Sequence, residues 1–94
     1  MTIHTAADIA GAGAAVQLSS TQGTFARRIW LTAHGSSNAR FGGPSVAATQ
    51  GVELPADALC TFSASDSDIS DRIDLTTAYV YVPNGTTVTV AWGN

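Results

Sequence analysis

The chain has no lysine. Its four basic residues are Arg27, Arg28, Arg40 and Arg72, set against Glu53 and six aspartates, for a net charge of −3. That balance offers no surface for tracking phosphates, so nucleic-acid partners are not expected. No apolar run approaches the roughly 18 residues of a bilayer span, so neither a transmembrane helix nor a membrane partner is expected. A basic segment leading into a long apolar stretch is missing from the N-terminus. No signal peptide is expected, and synthesis is placed in the cytoplasm. Cys60 is the one cysteine. A lone cysteine excludes an internal disulfide and a structural zinc site. With no basic residue beside it in a strand pattern, it reads as a buried, inert thiol.

What remains is modest. The 94 residues make one small domain. Hydrophobic residues are 45% of the chain, but 16 of them are alanine, which leaves the bulkier ones to build the core. Leu, Ile, Val and Phe together number 20, just above the range in which chains fail to fold. At 12%, charged residues are too few for a charge-rich disordered tail. The expectation is a folded, thinly stocked domain that draws stability from copies of itself or from a larger surface.

Residues 1–13 are rich in Ala, Thr and Gly and carry little periodicity, with Gly11 and Gly13 interrupting any helix. They read as an extended N-terminal arm, and residues 14–94 as a single domain. From Ala14 the pattern has period two. Val16 and Leu18 alternate with Ala15 and Gln17. Between Phe25 and Ala33, Ile29 and Leu31 oppose Arg28, Trp30 and Thr32. Short strands are expected at Ala39–Phe41, Val52–Leu54 and Ala58–Phe62, between turns rich in Gly, Pro, Ser and Asp. Val80 and Val82 oppose Tyr79 and Tyr81. Asn84-Gly85 then signals a hairpin, with Val88, Val90 and Trp92 on one face of the return strand. About seven short strands predict an all-β fold, a small antiparallel β-sandwich or jelly-roll-like barrel. The predicted core is Val16, Leu18, Ile29, Leu31, Phe41, Leu54, Phe62, Leu75, Val80, Val82, Val88, Val90 and Trp92.

Little here is catalytic. His4 lies in the arm, and His34 sits in a loop without a G-x-S-x-G elbow, so a hydrolytic triad is not expected. Glu53 and an Asp make a glycosidase pair on paper, but so small a domain leaves no cleft for a sugar chain. Asp66, Asp68 and Asp71 form the one candidate Ca²⁺ loop. It lacks the Gly and the terminal Glu of an EF-hand, and a solvated acidic turn is the preferred reading. No cofactor is expected. By strand parity Arg28, Trp30, Tyr79 and Tyr81 face outward. These residue types dominate protein–protein contacts, and the aromatics also stack on sugars.

The order of short motifs is itself informative. It runs Val16-Gln17-Leu18-Ser19, Arg27-Arg28-Ile29-Trp30-Leu31-Thr32-Ala33 and Asn38-Ala39-Arg40-Phe41-Gly42. Then come Ala47-Ala48-Thr49-Gln50-Gly51-Val52-Glu53-Leu54, Asp74-Leu75 and Tyr79-Val80-Tyr81-Val82, and lastly Gly85-Thr86-Thr87-Val88-Thr89-Val90 and Trp92-Gly93. Over residues 14–94 this resembles the small β-sandwich structural proteins of tailed bacteriophage virions. Pro55-Ala56-Asp57 departs from the Pro-Gly usual there. The resemblance implies a non-enzymatic virion component, a capsid decoration (cement) protein on the outer capsid surface. Its partners would be the major capsid protein and its own copies, as a trimer or dimer. Thr2, Ile3, His4 and Ile9 of the arm would then lie along a capsid strand edge and order on docking. A tail or head-fibre component, or a carbohydrate-binding module stacking sugars on Trp30, Tyr79 and Tyr81, are the alternatives.

Overall fold

Alternating β-branched and apolar residues produce strands, and the Gly, Pro, Ser and Asp clusters between them produce turns. The computed structural model describes residues 2–63 and 72–93. Among these residues there is no helix, and eleven strands follow one another. They are β1 (Ile3–Thr5), β2 (Ile9–Ala10), β3 (Ala14–Gln17), β4 (Phe25–Ala26), β5 (Arg28–Gly35) and β6 (Ala39–Gly42). Then come β7 (Val52–Leu54), β8 (Leu59–Ser63), β9 (Ile73–Asp74), β10 (Tyr79–Val82) and β11 (Thr86–Gly93). The expectation of about seven falls short in three places. Residues 1–13 supply two strands, the Phe25–Ala33 run divides at Arg27, and Ile73–Asp74 pairs with β4.

Three antiparallel sheets result. The first has the order β1-β11-β5-β8, with β2 also on β11; the second is β3-β10-β6-β7; the third is the clasp of β4 and β9. Residues 2–13, expected as an arm, do not run free. Thr5 lies opposite Ala91 and Ile9 opposite Val88, so β1 and β2 share one edge of β11. Four steps along the arm match three along β11. The extra residue makes a bulge around Ala6–Asp8.

Both large sheets turn one face inward. In the first, His4, Trp92, Ile29 and Phe62 form one cross-strand row. In the second, Val16, Val80 and Phe41 form another. The rings of Phe41 and Phe62 meet across the two sheets, 4.4 Å between centroids. Twelve of the thirteen predicted core residues are buried or packed against the buried cluster; Val16 is half-buried. Alanine, expected to leave the core to bulkier residues, contributes to it directly: Ala26, Ala33, Ala39 and Ala78 all belong to the core. Ala33 pairs with Val88, also bridges Ala56, and is fully buried in the core cluster.

Asn84-Gly85 does not close a hairpin. It joins β10 of the second sheet to β11 of the first. Gly85 has φ 84° and Asn84 is not at positive φ, with Thr86 N–H donating to the Pro83 carbonyl. Positive φ at the second central residue alone is the type II pattern, whereas the primed turns that keep two strands paired need it at the first. Two other sheet-to-sheet crossings meet this turn, at Gly11–Gly13 and Ser36–Asn38. Thr86, 2% exposed, ties all three. Its carbonyl accepts from Gly11 N–H at 2.8 Å. Its hydroxyl donates to the Ser37 carbonyl at 2.9 Å and accepts from Ser37 N–H at 3.3 Å. Side chains are excluded from this junction. A Cβ on Gly11 would overlap the Pro83 carbonyl, and one on Gly35 would overlap the Gly85 carbonyl.

Candidate interaction surface

The outer face of the first sheet follows from register. Ile29 and Leu31 are fully buried, so Arg28, Trp30 and Thr32 point the other way along β5. Their cross-strand neighbours complete three rows. Ile3, Gly93, Arg28 and Ser63 make the first; Thr5, Ala91, Trp30 and Thr61 the second; Thr89, Thr32 and Leu59 the third. Trp30 therefore stands among threonines, half-buried. Leu59 and Ile3 flank it at 67% and 64% exposure, the most exposed bulky apolar residues described. A shallow depression of about 340 Å³ is lined by Trp30, Leu59, Thr32, Thr89 and Ala91, and also by Asp8.

The residues singled out in the sequence separate into distinct places. Ile3, Arg28 and Trp30 share the outer face just described, and exposed Thr2 precedes it. His4 and Ile9 point inward instead. His4 stacks on Trp92 with ring centroids 5.5 Å apart, and Ile9 packs against the core. Pairing with β11 sets that parity: His4 lies opposite Trp92 and Ile9 opposite core Val88. Tyr79 and Tyr81 lie on the second sheet. By register they neighbour Gln17 and Gly42, and Ala15 and Arg40, respectively. Trp30, Tyr79 and Tyr81 thus occupy outer faces of different sheets and do not form one sugar-stacking platform. Leu59 was missed although its signal was present, since it has the opposite parity to Cys60 and Phe62.

The remaining chemistry-bearing groups are scattered. His34 is exposed at the end of β5, with Nδ1 3.3 Å from Oδ1 of Asp57, itself exposed. Asp57 has φ 63° in the turn that Pro55-Ala56-Asp57 was expected to form, and its N–H donates to the Ala33 carbonyl at 2.6 Å. Cys60 is half-buried against the core rather than sealed within it, on the outermost described strand of its sheet. Glu53 accepts a hydrogen bond from Asn38 at 3.1 Å. The candidate Ca²⁺ ligands Asp66, Asp68 and Asp71 lie outside the described residues. Among those described, no three His, Cys, Asp or Glu side chains gather as a metal site would require. A second hollow, of about 480 Å³, opens beside His4, Trp92, Phe25 and Arg72 at the end of the sheets away from Thr86.

No protein-family model, curated protein or solved structure matches the chain.

Proposed function

We propose that this chain is a non-enzymatic structural protein of a virus particle, a capsid decoration (cement) protein. The outer face around Trp30 seats on the shell formed by the major capsid protein. One observation carries this reading. The sheet presents Trp30, Leu59 and Ile3 on one face with Arg28, among Thr, Ser, Ala and Gly neighbours, and an aromatic anchor ringed by small neutral residues suits a protein partner.

The strand order supports it. Taking β1 and β2 as one bulged strand, the two large sheets have the order and alternation of a jelly roll, an architecture that recurs in viral capsid and lectin domains. Fold alone assigns no function, so the weight stays on the face. Three rows across four strands cover roughly 20 by 20 Å, given strand spacings near 4.8 Å and same-face spacings near 6.8 Å. That is about half the ~800 Å² per partner of a stable pairwise complex. A single contact of that size is weak, and occupancy comes from many copies or several contacts acting together.

Electron microscopy of the parent particle tests the proposal. Trp30→Ala combined with Leu59→Ser is expected to lower occupancy more than about tenfold, and Tyr79→Ala to leave it unchanged, while circular dichroism shows both variants folded. Full occupancy by the double variant refutes this role for the face. A chain located in the tail or a head fibre refutes the decoration role.

A further inference from the structure

Among the described residues the two large sheets have four edge strands, and three of them carry devices that discourage pairing. The β1–β2 edge is bulged at Ala6–Asp8, and Asp8 is exposed. Strand β7 has three residues, includes Glu53 and runs into Pro55. Strand β3 is four residues long, follows Gly13 and has no exposed bulky apolar residue. Strand β8 differs. Its five residues, Leu59-Cys60-Thr61-Phe62-Ser63, contain no charge, no proline and no glycine, and they pair with β5 in uninterrupted register. Among the described residues no strand pairs with its other side. Its exposure pattern reads the same in both directions, with Leu59, Thr61 and Ser63 exposed and Cys60 and Phe62 half-buried. Cys60 and Phe62 pack on the core but remain partly open, and no described strand lies beyond them in the sheet.

We infer that β8 is an interface between two copies of this chain, paired antiparallel about a two-fold axis at Thr61. The palindromic pattern names the occupant. With Thr61 opposite its own counterpart, outward residues meet outward residues, and Leu59 lies beside the second copy's Ser63. Inward residues also meet, so Cys60 lies beside the second copy's Phe62, and each copy covers the open end of the other's core. A two-fold interface of this kind is self-complementary and closed. Opposed threonines are a favourable cross-strand pair. The resulting sheet runs unbroken through both copies, with the Trp30 surfaces on the same side. This inference rests on the edge itself and does not depend on the virion reading.

The test uses the full chain. Sedimentation over a range of concentrations is expected to show a monomer–dimer equilibrium. Thr61→Lys sets two charges opposite each other at the centre of the pair, and it is expected to weaken the dimer about tenfold or more with an unchanged far-UV spectrum. Register is read by cross-linking in a Cys60→Ser background. Directly opposed residues have Cα atoms about 4.5–5.5 Å apart, within disulfide reach. Thr61→Cys is therefore expected to cross-link on oxidation. Leu59→Cys is not, since its two copies stand about 14 Å apart in this register. A chain that stays monomeric up to about 1 mM overturns the inference. So does a dimer indifferent to Thr61→Lys, or one in which Leu59→Cys cross-links and Thr61→Cys does not.

Discussion

Replacing Thr86 with valine keeps the shape of the side chain and removes its hydroxyl. That hydroxyl is almost fully buried and makes two hydrogen bonds to Ser37, donating to the carbonyl and accepting from the N–H. Each bond is worth about 1 kcal/mol net, and losing both leaves two Ser37 backbone groups without this partner. Ser37 lies at the surface, so water recovers part of the loss. The expected destabilisation is about 2 kcal/mol. With an m-value of about 1 kcal/mol/M in urea for so small a domain, the unfolding midpoint falls by about 2 M at unchanged m. Tm falls by roughly 8–16 °C. Thr89→Val is the control. Its hydroxyl makes one long bond, 3.4 Å to the Thr32 carbonyl, on the half-exposed outer face, and the change is expected to stay within about 0.5 kcal/mol. If the two variants unfold at the same urea concentration, the Thr86 hydroxyl does not hold the Ser36–Asn38 crossing.

Two further stability measurements probe the same frame. Gly35→Ala places a Cβ against the Gly85 carbonyl at φ 138° and is expected to abolish soluble expression or cost more than about 3 kcal/mol. Gly43→Ala meets nothing within 4 Å, so its urea midpoint is expected to stay within about 0.5 M of the parent; equal loss in both variants contradicts the packing at Gly35. Leu54→Ala empties a fully buried site and is expected to cost about 2–5 kcal/mol by urea titration. A loss below 1 kcal/mol there means that β7 does not seal the core.

Strand faces were legible because parity is local. Ile29 and Leu31, or Val80 and Val82, declare their burial through their neighbours in sequence. Partnership was not legible, because period two says nothing about which sheet a strand joins. Asn84-Gly85 illustrates this: the strands on either side lie where periodicity puts them, yet they belong to different sheets. The strands of residues 1–13 had no periodic signal, since Ile3–Thr5 and Ile9–Ala10 are strands by virtue of pairing with β11. The surface around Trp30 was half visible. Arg28 and Trp30 followed from parity, but gathering Ile3 and Leu59 beside them required the register across three strands. His4 and Ile9 face inward through their pairing with β11, which a segment without periodicity does not announce.

The place of β11 bears on how the molecule comes into being. Residues 86–93 lie between β5 and the β1–β2 strands, so the middle of that sheet is written about fifty residues after β5. On a ribosome, β1, β2 and β5 emerge first and wait through some fifty further residues for the strand that joins them. Folding dominated by such distant pairings takes milliseconds to seconds rather than microseconds. During that wait the unpaired edge of β5 is exposed to other chains, so crowded synthesis at high expression is the stage at which this protein is most prone to aggregate.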